Sequence, residues 1–281
     1  MSEILAARTE TAACSPADVY DEQFVPALFS QWGPVLCSAA GVAAGQRVLD
    51  VACGTGALTV AVADRVLPDG AAIGLDANSE MLAVARRKHG AIQWHEGRAE
   101  SLPFDDATFD AVVSQFGLMF FDDRIAALRE MRRVLRPGGR LAVAVCDAMD
   151  HSPGYASFAA LLDRLFGKRI GDAFRAPFVL GNTDALRALC VDAGISAANI
   201  VQRKGSVRFK SIDALVSTER ACVWTLGGAL DEGQFERLRR EAQSTFAPFV
   251  DASGMVAFEM PALIITAARD CSAPQGTLAS D

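Results

Sequence analysis

The stretch RVLDVACGTGALT, residues 47–59, constrains this chain more than any other segment. Val48, Leu49, Val51 and Ala52 form an apolar run with β-branched members, the pattern of a strand buried in a parallel sheet. The run passes directly into Gly54-Thr55-Gly56 and then into a helix-forming stretch rich in Ala, Leu and Val. Strand, glycine turn and helix in that order make a cradle for a nucleotide, because glycine lets the backbone approach a ligand closely and adopt φ > 0. Two residues separate this turn from one that holds a dinucleotide. Asp50 sets a carboxylate just ahead of the loop, where it repels a pyrophosphate and suits an ammonium or sulfonium group. Thr59 stands where the dinucleotide fingerprint has Gly or Ala. The loop is therefore expected to hold a cationic nucleoside, with Asp50, Ala52, Gly54, Thr55 and Gly56 at its site.

The pattern D-x-A-C-G-T-G at residues 50–56 resembles the first motif of class I S-adenosylmethionine-dependent methyltransferases. It is most similar to the branch that includes the ubiquinone and menaquinone methyltransferases and many tailoring enzymes of secondary metabolism. The likeness continues in register. Ala72-Ile73-Gly74-Leu75-Asp76 resembles that family's second strand, and Met81, Leu82 and Ala85 the helix after it. EGRAESLPF at 96–104 resembles the third-strand loop, 109–114 the fourth strand, and VLRPGGRLAVAV at 134–145 the turn and fifth strand. The resemblance spans roughly residues 45–146. It implies an α/β, doubly wound, seven-stranded sheet of the Rossmann-like methyltransferase fold, its last strand antiparallel beside the fifth. An N-terminal helical lid and helices inserted after the fifth strand complete the expected fold. The implied cofactor is S-adenosyl-L-methionine, and the implied reaction is methyl transfer.

The boundaries expected on this reading are a lid at 1–44, the cofactor-binding core at 45–150, and acceptor-side helices with the remaining strands of the same domain at 151–269. A disordered tail is expected at 270–281. Composition agrees with a small-molecule enzyme. The chain of 281 residues carries a net charge of −7, and its Lys and Arg form no long block, so it lacks the basic face that a nucleic-acid partner needs. Its seven cysteines are scattered without a C-x-x-C pair, as in reduced cytoplasmic proteins rather than disulfide or zinc scaffolds, and no metal is expected. Residues 24–46 hold no charge, yet Pro26, Gln31, Gly33 and Pro34 interrupt them. An apolar lid fits that composition better than a membrane span. Homodimerisation stays open.

Periodicity places strands near 47–52, 71–76, 91–96, 109–114 and 140–146, with helices at 57–66, 79–88 and 124–135 between them. Asn78 or Ser79 is expected to cap the second helix, and Pro137-Gly138-Gly139 to turn the chain into the fifth strand. Beyond residue 151 the pattern predicts helices over 151–181 and 183–193, a strand over 200–209, helices over 211–249 and a final strand at 262–268.

Asp76 ends the second strand about 20 residues after the glycine turn, the spacing at which a carboxylate meets ribose hydroxyls. By resemblance, Ala77 and Met81 line the adenine pocket. Arg98 stands where many relatives have an acidic residue that accepts from the adenine amino group. Arginine has no acceptor, so recognition falls to the backbone of Arg98 and Ala99 or to Glu100. Gln115, just after the fourth strand, is expected against the methionine half of the cofactor. Tyr20, Phe24 and Trp32 share one broad helical face; periodicity leaves open whether each is a core aromatic or a cofactor contact, and the resemblance assigns Tyr20 and Trp32 to the cofactor side. Pro34 must end or bend that helix.

Methyl transfer needs the nucleophile and the methyl group held together in a dry pocket, so a dedicated base is optional. Of three histidines, His89 and His95 read as structural. His151, in the loop CDAMDHSPG after the fifth strand, is the candidate catalytic base, with Asp147 an alternative. Phe116, Met119, Phe120, Phe158, Phe166, Phe174 and Phe178 predict an apolar acceptor pocket for a quinone, phenolic or polyketide-like small molecule. Two other readings share the turn. A non-methylating or pericyclase-like S-adenosylmethionine-binding protein keeps the cofactor site, and a nicotinamide-dependent oxidoreductase is opposed by Asp50 and Thr59.

Overall fold

The computed structural model describes residues 15–90, 92–222 and 225–271. Residues 1–14 of the expected lid and 272–281 of the expected tail lie outside the described residues. The chain begins with α1 (Pro16–Val19), whose capping box pairs Ser15 and Asp18. A π-helical segment, Tyr20–Phe29, follows directly. Pro26 inside it offers no N–H, and the wider spacing is visible where the Ser30 N–H bonds Val25 O, five residues back. After a short turn at Ser30–Trp32, Pro34 falls in the first turn of α2 (Gly33–Ala39), where its missing donor is harmless.

Alternating strands and helices then build the sheet: β1 (Arg47–Val51), α3 (Ala57–Val66), β2 (Ala71–Asp76), α4 (Ser79–Lys88), β3 (Gln93–Glu96), β4 (Phe109–Gln115), α5 (Arg124–Val134) and β5 (Leu135–Cys146). The Asn78 side chain caps α4, accepting from the Glu80 and Met81 N–H groups. The second half comprises α6 (Pro153–Phe166), α7 (Lys168–Arg175), α8 (Thr183–Asp192), β6 (Asn199–Arg203), β7 (Ser206–Phe209), α9 (Ile212–Ala221), α10 (Glu232–Phe246), β8 (Val256–Glu259) and β9 (Ala262–Ala268).

Seven strands form one sheet in the order β3-β2-β1-β4-β5-β9-β6, and β9 runs antiparallel to both neighbours. This is the expected doubly wound sheet with its inserted last strand. Because β2 and β4 flank β1 on opposite sides, the connections diverge there and leave a crevice at the strands' carboxyl ends. No helix among the described residues is long and apolar enough to cross a membrane.

Three local expectations change. Pro137-Gly138-Gly139 belongs to β5 itself, bulged out where the register against β4 jumps from Phe109–Leu135 to Ala111–Arg140. The strand expected over 200–209 is two strands in two sheets, split at Lys204-Gly205. A Cβ at Gly205 would sit 2.2 Å from the Trp32 ring, so the chain can pass there only as glycine. β8, not anticipated, pairs antiparallel with β7 and makes a small second sheet.

Candidate active site

At the carboxyl ends of β1, β2 and β4 lies a cavity of about 780 Å³. Its floor is the glycine turn. Ala52 (φ +60°) and Phe116 (φ +55°) leave β1 and β4 in left-handed conformations, and both line the cavity. The two turns touch: a Cβ on Gly117 would lie 2.6 Å from Ala52 Cβ. Gly54, also on the wall, has φ +55°, and the nearest atom to a Cβ built on it is Tyr20 Cε1 at 3.9 Å. Tyr20 thus covers the turn from the lid, while Asp18–Arg87 and Asp21–Lys88 ion pairs tie the lid to α4.

Asp76, Ala77, Met81, Ala99, Glu100 and Gln115 all line the cavity, together with Ala52 and Gly54. Asp76 Oδ2 accepts from the Gly54 N–H at 2.8 Å and Oδ1 from the Asn78 N–H at 2.8 Å. Each oxygen keeps a lone pair for a hydroxyl donor. Burial raises the Asp76 carboxyl above its ordinary value, and the bonds from Asn78, Gly54 and Ala77 oppose that rise. Glu100 is already engaged: Oε1 accepts from the Asp122 N–H at 3.0 Å, and Oε2 lies 3.4 Å from Arg98 Nε. Gln115 Nε2 donates to Phe29 O at 3.2 Å, which leaves its Oε1 buried without a partner.

Other residues expected at the cofactor sit one layer lower. Asp50, Thr55 and Gly56 are not on the cavity wall. Asp50 is 1 % exposed beneath the turn, where Thr59 Oγ1 donates to its Oδ2 at 2.7 Å and Oδ1 has no partner. Thr59, which sequence comparison marks only as a departure from the dinucleotide pattern, is thus the donor that holds Asp50. Burial drives the Asp50 carboxyl up to about 8, so its influence on a cation in the cavity acts across the turn rather than by contact. Thr55 is buried with an unpartnered hydroxyl. Gly56 (φ +88°) is required by packing: a Cβ there would lie 2.5 Å from the Trp94 ring. Trp32 also falls outside the cavity. It is 1 % exposed, edge-on to Phe116 at 5.7 Å, and is a core aromatic that the shared helical face made look like Tyr20.

The other half of the cavity is apolar, with Phe116, Met119, Phe174, Phe178 and Met260 on its wall. Phe158 is fully buried beneath it, packed on Phe174 and Phe246, and Phe166 does not reach it. Into this chamber the inserted helices bring polar groups that sequence reading missed: Tyr155 from α6, Glu219 from α9, and Thr225. Glu219 is 1 % exposed, and its Oε2 has no hydrogen-bond partner. A signal for it exists, since Ile212, Leu215, Val216 and Glu219 follow the i, i+3, i+4, i+7 spacing of one buried helical face.

His151 is not brought to the cavity. Its ring is 54 % exposed, and Nδ1 lies 2.9 Å from Asp147 Oδ2. Asp147 is buried and also receives the Ala148 N–H and the Gln202 amide. This cluster fastens the loop after β5 to β6, and neither His151 nor Asp147 is on the cavity wall.

Residues 48–139 match the family described as Methyltransferase domain. A demethylmenaquinone methyltransferase of Staphylococcus carnosus is 34 % identical over 190 residues, which is 63 % of this chain and 78 % of that protein. The chain belongs to the class I S-adenosylmethionine-dependent methyltransferases of the ubiquinone and menaquinone type. The chloroplastic 2-phytyl-1,4-beta-naphthoquinone methyltransferase of Arabidopsis thaliana is 42 % identical over 120 residues, 40 % of this chain and 46 % of that one, so the chain spans about half its length. The YcgJ protein of Bacillus subtilis shares the fold, with a TM-score of 0.57 at 22 % identity, covering 85 % of this chain and 98 % of that one.

The cavity fits S-adenosyl-L-methionine, the cofactor of this family. The open front of Gly54 admits a close ligand backbone, Asp76 offers acceptors for a diol, and Met81 and Ala99 give an apolar slot for a ring. The unpartnered Gln115 Oε1 is a buried acceptor suited to an ammonium group.

Proposed function

We propose that this methyltransferase transfers the methyl group to a small, moderately hydrophobic aromatic acceptor of quinone or phenol type. The observation that carries the reading is the division of one cavity into a polar, backbone-lined end at β1 and β2 and an aromatic end built by α6, α7 and the segment after β4. The quinone substrates named for the Arabidopsis and Staphylococcus relatives support the same acceptor class.

When bound, S-adenosyl-L-methionine supplies a methyl group on a sulfonium. Within the chain, Asp76, Gly54 and Gln115 orient the donor, and Ala52 and Phe116 hold the two turns that separate donor from acceptor. Phe174, Phe178 and Met260 exclude water from the acceptor end, and holding both reactants in register accounts for up to about 7–11 kcal/mol of barrier reduction. Tyr20, over the turn, closes the donor end.

Incubation with S-adenosylmethionine labelled in its methyl group and a panel of demethylated quinols, naphthols and hydroxyaromatic acids tests the reading. Label is expected in at least one aromatic product. Cofactor binding in calorimetry with no transfer to any aromatic acceptor would favour a protein that binds the cofactor without methylating.

A further inference from the structure

We propose that Glu219, set by α9 into the aromatic end of the cavity beside Tyr155, is the base that receives the hydroxyl proton of the acceptor. The inference rests on the function proposed above and narrows its substrate class to aromatics bearing an ionisable hydroxyl. Glu219 interrupts an otherwise apolar helical face, Ile212, Leu215 and Val216, at the position where another aliphatic side chain would complete the core. A carboxyl group buried there without a full set of partners is costly, and such a cost is tolerated where the group meets a ligand. Its Oε2 is buried and unpaired, and the residue forms part of the cavity wall.

The surroundings set its chemistry. Tyr155, in α6, is 3 % exposed and edge-on to Phe174, Phe178 and Phe258, with ring centroids 5.6, 5.9 and 5.0 Å away. Burial pushes the Glu219 carboxyl up to about 7, and the Tyr155 hydroxyl acts the other way by favouring its charged form, while the Thr225 hydroxyl donates to the Glu219 backbone carbonyl at 3.0 Å. Tyr155, in turn, is held well above its ordinary value, first by burial and then by Glu219, Cys146 and Cys222, so it stays a neutral donor. From the lid, Tyr20 faces the same region and is likewise raised by burial and by Cys222. The cations on and around α9 are engaged elsewhere: half-buried Arg220 with Glu232 and Arg239 with Asp213, while Arg208 of β7 acts on Asp251. A carboxyl that titrates near neutral pH in a dry chamber is poised as a base.

The step balances in atoms and charge. The acceptor's hydroxyl proton passes to the Glu219 carboxylate, and the oxyanion forms a bond to the methyl carbon; where the conjugated ring carbon takes the methyl group instead, that carbon's own proton then passes to the ring oxygen as aromaticity is restored. The carbon–sulfur bond breaks with its electron pair going to sulfur. One buried negative charge and one buried positive charge disappear together, which a low-dielectric chamber favours.

The test uses 2-naphthol and its methyl ether, 2-methoxynaphthalene, as probes. Binding to the full-length protein is titrated in the presence of S-adenosylhomocysteine across pH. Wild type is expected to prefer the naphthol by about tenfold to hundredfold, the range of a hydrogen bond to a charged group, with the preference growing as pH rises through about 7. Glu219→Gln keeps the shape and is expected to abolish both the preference and its pH dependence. Tyr155→Phe removes a hydroxyl that favours the carboxylate, so it is expected to move the midpoint to higher pH; this second variant decides the matter if the first does not fold. A wild type that binds neither probe or binds both alike, a Glu219→Gln protein with the wild-type profile, or an unmoved midpoint in Tyr155→Phe overturns the proposal. Failure to bind S-adenosylhomocysteine at all would instead strike the function on which it rests.

Discussion

Thr59→Val removes one hydroxyl from the base of the cofactor turn while keeping the side chain's shape. In the native protein that hydroxyl donates to Asp50 Oδ2 at 2.7 Å, and Oδ1 has no partner. Burial raises the Asp50 carboxyl from 3.8 to about 8, the Thr59 bond opposes the rise, and neighbouring Asp76 adds to it. A folded value above the unfolded one means that Asp50's contribution to stability is fully present below pH 3.8 and is lost as pH climbs to about 8. Above that pH the native protein loses no more stability through this group. Valine leaves the carboxylate with no donor, so the variant's folded value lies higher still and its stability keeps falling. At about pH 6 both proteins hold the neutral acid, and the cost is that of one neutral hydrogen bond, about 1 kcal/mol. At about pH 9.5 the native protein holds a hydrogen-bonded ion that the variant cannot offer, and the cost grows to about 2–3 kcal/mol. Urea denaturation of both proteins at the two pH values reads the difference. Equal penalties at both would refute the reasoning, because the Thr59 bond would then be indifferent to the charge on Asp50.

Asp76→Ala is expected to weaken S-adenosylmethionine binding by about 1.5–3 kcal/mol through lost hydrogen bonds to a charged group, and by more because it also frees the Gly54 and Asn78 N–H groups; calorimetry with unchanged affinity in a folded protein would remove it from the site. Gly56→Ala places a methyl 2.5 Å from the Trp94 ring at φ +88° and is expected to lower stability by about 1–3 kcal/mol, read as a lower urea midpoint. His151→Ala is expected to leave turnover and its acid limb near wild type, since the ring is half exposed and directed to Asp147; a hundredfold loss of rate would restore it to the mechanism. Binding of S-adenosylmethionine is expected to release protons at about pH 7, because a cation above the turn favours the Asp50 carboxylate; identical calorimetric enthalpies in buffers of different ionisation heat would contradict this.

The half of the fold that binds cofactor was legible because its signals are local. Each parallel strand reads as a short apolar run, and the residues that line the cavity directly follow or end the strands, as with Gly54 after β1 and Asp76 at the end of β2. What could not be read depends on contacts between distant residues. Gly205 splits a single apolar run into β6 and β7 because Trp32, brought from the lid, fills the space a side chain would need. The same contact explains why Trp32 and Tyr20, alike in sequence as lid aromatics, part company: one is locked under Gly205 and against Phe116, the other lies over Gly54. Asp50, Thr55 and Gly56 were placed correctly at the turn but at the wrong depth, since sequence spacing does not say which side of a backbone loop faces the cavity. Glu219 was readable from helical spacing but hidden in a segment whose variable polarity obscured its stripe.

The two ends of the cavity also differ in what holds them. At the donor end the contacts use backbone donors: Gly54 N–H to Asp76 Oδ2 at 2.8 Å, Cys53 N–H to Leu75 O at 3.0 Å, and Gly97 N–H to Asp76 O at 3.0 Å. Ala52 and Phe116 add left-handed turns that cost on the order of 1–3 kcal/mol each. That strain persists because β1 and β4 beneath it are among the most buried strands of the sheet, with Val51, Val112 and Val113 fully enclosed. At the acceptor end the contacts are side chains on α6, α7 and α9, elements that add no strand to the seven-stranded sheet. A substitution in the first group is therefore expected to disturb the sheet and cofactor binding together, whereas one in the second is expected to alter which acceptor is taken while the donor site stands. Glu219 stands on the apolar helical face of α9 with its Oε2 unpartnered, and on the proposed role that carboxyl is kept at a cost in burial because acceptor choice is made at this wall.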